Sequence, residues 1–113
     1  MAHYMLQVSY TPEAWATIIK DQQNRIEAVK PVVEKLGGKV ETGWLCFGDY
    51  YLIAIVQMPT AVDVAAFSLA ASAGGAVRAI KTTPLLTMDE GLSALKKAAS
   101  AGYQAPKQKG QSA

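Results

Sequence analysis

A chain of 113 residues that is 50% apolar and 18% charged makes one globular domain around a single core. Its formal net charge of +2 is unevenly placed: Lys96, Lys97, Lys107 and Lys109 follow the last acid, Glu90, and the preceding body holds seven basic against nine acidic residues. A nucleic-acid binder carries its basic excess on a structured face, so this distribution argues against such a partner, and no segment approaches the roughly 20 apolar residues of a membrane span.

The single cysteine, Cys46, excludes an intrachain disulfide and fits a reducing compartment. The N-terminus lacks the basic start and apolar run of a signal peptide. A cytoplasmic location is expected.

In chain order, residues 3–10 alternate with period two. Tyr4, Leu6, Val8 and Tyr10 lie on one side and His3, Met5, Gln7 and Ser9 on the other, which predicts a strand with one apolar face. Thr11-Pro12-Glu13 opens a helix with a hydroxyl cap, a first-turn proline and an acid at the positive end of the dipole. Trp15, Ile18 and Ile19 form its stripe. Asp21 to Asn24 interrupt it, and Asn24 with Glu27 has the spacing of a fresh cap. Ile26, Val29, Val33 and Leu36 continue the helical spacing, with a kink expected at Pro31 and an end at Gly37-Gly38.

Residues 39–47 predict a second strand with Val40, Thr42, Trp44 and Cys46 on one side. Gly48-Asp49 turns the chain into a third strand, residues 50–58, which is apolar on both faces. An antiparallel strand of that kind implies cover on both sides of the sheet. Thr60 and Asp63 open a helix that Gly74-Gly75 closes, residues 76–84 give a fourth strand, and Thr87 with Glu90 opens a last helix. The domain is expected to span 1–101, with residues 102–113 as a polar, disordered tail.

The order of elements is the split βαβ, ferredoxin-like pattern: an α+β fold with a four-stranded antiparallel sheet, helices on one face and a C-terminal helix. The other face would carry Met5 and half of the third strand. Leaving it bare is unfavourable in a monomer, so a homodimer or higher homo-oligomer, packed sheet to sheet, is expected.

The run Gly48-Asp49-Tyr50-Tyr51-Leu52-Ile53-Ala54-Ile55-Val56-Gln57-Met58-Pro59 resembles the signature of the GYD-domain family. The resemblance extends through residues 4–11, Leu36-Gly37-Gly38-Lys39-Val40-Glu41 and the segment from Gly74-Gly75 to Thr82-Thr83-Pro84-Leu85-Leu86, most of the chain. It implies kinship with the dimeric α+β barrels, in which two ferredoxin-like sheets face each other. It implies no particular reaction. Two positions depart from the family pattern: Tyr51 stands where an Asp is common, and Gln57 where an acid is common. Any activity resting on either carboxylate is in doubt.

The candidate catalytic residues are His3, Tyr50, Tyr51 and Gln57. His3 is the only histidine, and its imidazole titrates near neutrality; the plainer reading is a near-terminal surface side chain, since base catalysis needs an orienting partner. Tyr10, Trp15, Trp44 and Arg78 are the candidate ligand-binding residues. The aromatics would wall a pocket, although core or interface packing buries them equally, and Arg25, Arg78 and Lys81 are the cations suited to an acidic ligand. Arg78 and Lys81 alternate along their strand, so at most one is expected to face a shared cavity. Cys46 reads as a small buried residue. No metal-ligand spacing or nucleotide-binding glycine pattern occurs, and no metal or cofactor is expected.

Three functions fit. The first is a homo-oligomeric small-molecule-binding or scaffold protein. The second is a cofactor-independent enzyme of the dimeric α+β barrel kind acting on a small organic molecule. The third is a metabolite-responsive regulatory module with a partner for its Lys-rich tail. The scarcity of acid/base groups favours the first.

Overall fold

In the computed structural model, which describes residues 1–106, β1 (Ala2–Tyr10) buries Tyr4, Leu6, Val8 and Tyr10 and leaves His3, Met5 and Gln7 half-exposed. The Thr11 hydroxyl accepts from the Ala14 amide at 3.1 Å and starts α1 (Pro12–Lys20). The Asn24 side chain accepts from the Ile26 and Glu27 amides and starts α2 (Arg25–Lys35). This helix continues through Pro31, which cannot donate to the carbonyl one turn back. Gly37, at φ 85°, then releases the chain into β2 (Lys39–Leu45).

β3 (Leu52–Met58), α3 (Ala61–Ala73), β4 (Val77–Leu85) and α4 (Met88–Ala99) complete the chain. The sheet order is β2-β3-β1-β4 with every pair antiparallel, the ferredoxin-like arrangement. Tyr4, Leu6, Ala54, Val56 and Met58 from the sheet pack with Val33 of α2 and with Val64 and Phe67 of α3. A second cluster joins Val8, Tyr10 and Leu52 to Trp15 and Ile18 of α1. Gly43 makes room for this packing: a Cβ there would overlap the Ile26 side chain, so glycine lets α2 approach the sheet.

Three details differ from the sequence expectation. The hairpin strands are shorter, and residues 46–51 form the connection between them, tied by the Cys46 amide donating to the Tyr51 carbonyl and the Tyr51 amide donating to the Val8 carbonyl of β1. β2 carries a bulge at Glu41. Val40 pairs with Val56 on the helix side while Thr42 pairs with Ile55 on the opposite side, so these two residues do not share a face as strict alternation requires. β3 is covered on one side only in the single subunit: Leu52, Ala54, Val56 and Met58 are buried, while Ile53, Ile55 and Gln57 are half-exposed on a face that no helix covers.

α4 stands apart. Thr87 and Glu90 form a reciprocal capping box, yet every residue of the helix except Gly91 is exposed, including Met88, Leu92 and Leu95. No helix among the described residues is long and apolar enough to cross a membrane. Of the tail expected from residue 102 on, residues 107–113 lie outside the described residues, Lys107 and Lys109 with them.

Candidate functional site

Between the covered face of the sheet and helices α2 and α3 lies a cavity of about 270 Å³. Its floor is Leu6, Val8 and Ala54, and its walls include Val29 and Phe67. Among the described residues, the only charged one on its lining is Arg25, the first residue of α2. A wider cleft of about 520 Å³ continues from Arg25 and Tyr10 toward Trp15, Ile18 and Gly43. Tyr10, Arg25, Ile26 and Leu52 line both spaces and so form the boundary between them.

The rim is aromatic. Trp15 meets Tyr10 edge-on, with ring centroids 5.5 Å apart, and meets Tyr51 edge-on at 5.0 Å. Tyr51 therefore does not share the open face with Ile53 and Ile55 as alternation suggests; it precedes β3 and its ring turns to α1. Trp44 takes the other direction from the expected core or pocket wall. It pairs with Ile53 on the open face and is 66% exposed, although its position on β2 still borders the wider cleft.

Arg25 has an unusual environment. One of its terminal nitrogens donates to Gln23 Oε1 at 2.6 Å, while Nε is buried without a hydrogen-bond partner. Among the described residues, no carboxylate pairs with it.

A second polar group lies on the open face. His3 pairs with Gln57 across β1 and β3, and Glu41, the unpaired residue of the β2 bulge, reaches both. His3 Nε2 is 3.0 Å from Glu41 Oε1, and the Gln57 amide donates to the same oxygen. The Gln57 hydrogen bond holds the Glu41 carboxyl below the usual carboxylate range, with the His3 charge adding to the effect. Glu41 is the member that sequence reasoning missed: it lies opposite core-facing Val40 on the open face, and the bulge after Val40 brings Thr42 to that face too, so strict alternation of β2 gives no single set of open-face residues. The row has no deep pocket: His3 borders a shallow depression with Leu85, Leu86 and Thr87.

The remaining candidates gather elsewhere. Arg78 is the extra residue at a second bulge, between Ser9 paired with Ala79 and Tyr10 paired with Val77. It borders a shallow polar depression with Ser9, Asp49, Tyr50 and Tyr51. Lys81 pairs with Gln7 on the open face. Through the bulge both cations end near the same face, where alternation alone separates them. Cys46 is half-buried and its thiol donates to the Tyr50 carbonyl at 3.2 Å. Among the described residues, no three His, Cys, Asp or Glu side chains come close enough to hold a metal ion.

The sequence matches the family described as "GYD domain" over residues 4–95. The chain belongs to the GYD-domain family. The match includes both strands of the hairpin, the cavity floor and most of α4. The solved structure titled "crystal structure of FFRP-DM1" is similar in fold, with a TM-score of 0.53 at 14% identity over 76% of this chain and 100% of that one. Comparison with curated proteins finds no match. Tyr51 and Gln57 lie in separate places: the Tyr51 ring packs on Trp15 beside the cleft, and Gln57 joins the His3–Glu41 row.

Proposed function

We propose that this GYD-domain protein is a small-molecule-binding protein that works as a homo-oligomer in the cytoplasm. The observation that carries the reading is the cavity between sheet and helices, apolar on nearly every side, with Arg25 at its edge and no carboxylate paired to it among the described residues. Pockets that bind small organic molecules have this make-up, with a few polar groups fixing orientation inside an apolar enclosure. The oligomer rests on the open sheet face. Met5, Ile53, Ile55, Trp44 and Leu85 share it, and a second copy of the same face is its simplest cover. The test is native mass spectrometry of freshly purified protein, first gently and then with activation. An oligomer that releases a small molecule supports both halves of the reading, and a ligand-free monomer counts against both.

A second reading, a cofactor-independent enzyme, draws on one observation: the only histidine has a carboxylate partner, the orienting group that base catalysis requires. Its shallow surroundings and the polar competition from Gln57 weigh on the side of binding. Turnover of a small organic acid or ketone that vanishes in His3→Ala and in Glu41→Gln, with ligand affinity kept, would favour the enzyme.

A further inference from the structure

The binding reading leaves the chemistry of the ligand open, and Arg25 narrows it. Among the described residues, Arg25 is the one charged residue on the cavity lining, its Nε is buried without a partner, and no acid neutralises it. A buried guanidinium donor left unpaired is unfavourable and is normally met by an acceptor. The partner it does have, Gln23 Oε1, is neutral and engages a terminal nitrogen, leaving the Nε edge of the fork unused. A carboxylate matches that fork in shape and charge, two oxygens against two parallel N–H groups.

The space beyond Arg25 sets the rest of the molecule. Leu6, Val8, Val29, Ala54 and Phe67 offer no hydrogen bonds from their side chains, so whatever lies against them is apolar. A volume of about 270 Å³ corresponds to the space of about nine waters in the liquid, enough for a body of roughly ten non-hydrogen atoms. A second negative charge would find no cation and would be desolvated against hydrocarbon. We infer that the cavity binds a small organic monocarboxylate, with its aliphatic or aryl body between the sheet and helices α2 and α3 and its carboxylate on Arg25. This rests on the small-molecule-binding reading above and adds the ligand class to it.

The experiment is isothermal titration calorimetry on the full chain with hexanoate, octanoate, decanoate, phenylacetate and indole-3-acetate, each beside its primary amide. Protein-observed NMR follows the Arg25 side-chain Nε–H resonance during the same titrations. The expected result is that at least one acid binds ten-fold or more tighter than its amide and moves the Arg25 resonance. Arg25→Gln should remove the preference for the acid while keeping amide binding, and Arg25→Lys should keep part of it. Ala71→Leu, which fills the cavity from α3, should abolish binding of both forms. Acid and amide binding equally to the wild-type protein would overturn the ligand class and leave the pocket standing. Acids that bind without moving the Arg25 resonance would also overturn it. No binding by any acid or amide would overturn the pocket itself. Should Arg25→Gln fail to fold, the acid-against-amide contrast in the wild-type protein still decides.

Discussion

His3 and Glu41 are 3.0 Å apart although their strands are not neighbours: β3 runs between β1 and β2, and the two side chains meet above Gln57. Strands lie about 4.8 Å apart in a sheet, so the pair spans roughly two strand spacings. The His3 and Glu41 side chains close that gap by reaching over β3 from either side, with Glu41 the unpaired residue of the β2 bulge.

The pair makes the titration of Glu41 a readout of the His3–Glu41–Gln57 row. In an NMR pH titration the Glu41 carboxyl should titrate below the ordinary carboxylate range. Gln57→Ala and His3→Ala should each move it back upward, because the Gln57 hydrogen bond and the charge and hydrogen bond of His3 all lower it. Because the folded-state value is lowered, whatever stability the row supplies is present above the ordinary carboxylate pKa. It is lost as pH falls through the lowered one. A Glu41 resonance indifferent to both substitutions would mean the row does not form in solution.

Ile55 and Val56 are adjacent in sequence and opposite in consequence. Val56 is fully buried among the helices, so Val56→Asp should prevent folding by placing an unpaired charge in the core. Ile55 is half-exposed on the open face, so Ile55→Asp should leave a folded subunit and reduce the particle mass measured by light scattering. An unchanged mass would remove the open face as the interface.

Gly43 and Gly38 both sit where a Cβ has no room, yet their alanine variants should differ in degree. At Gly43 the obstacle is the Ile26 side chain, which can shift, and overpacking of that kind costs about 1–3 kcal/mol. Ile26→Ala in the same chain should return part of the loss, a coupling visible in chemical denaturation. At Gly38 the obstacle includes the Gln57 carbonyl oxygen and the fully buried Met58, so the backbone must move and Gly38→Ala should cost more.

Thr87→Ala should unwind α4 without touching the sheet. The capping box is the main fixed point of a 12-residue helix that buries none of its residues, and loss of such a cap is worth about 1 kcal/mol. An isolated helix of this length is marginal in water. Faster amide hydrogen exchange confined to α4, with an unchanged melting temperature, is the expected pattern. A fall in melting temperature would show that α4 packs against a second subunit.

The fold was legible because its signals are local and repeated. Thr11, Asn24, Thr60 and Thr87 each cap the helix that their spacing indicates, and the alternation of β1 assigns its faces correctly from Tyr4 to Val8. The site was legible only in its parts. Tyr10, Trp15 and Arg25 can be singled out as residue types, but their convergence on one cavity depends on where α1 and α2 settle on the sheet. Alternation fails at Glu41 and at Arg78, because one extra residue inverts the faces without leaving any mark in composition. The exposure of Trp44 in the single subunit has a related cause. Aromatic size suggests burial, but on an edge strand the face decides, and its face is the open one.

Those two bulges also govern how the sheet can grow. β2 and β4 are the outer strands, and each interrupts its ladder at a charged residue, Glu41 on one side and Arg78 on the other. β4 further carries Pro84, which has no amide to offer. Edge strands that are kinked, charged or proline-bearing make poor templates for an incoming strand. Growth by strand addition, the route to fibrils, is thereby discouraged at both ends of the sheet, while the broad surface of the sheet stays available for a self-limiting, face-to-face partnership.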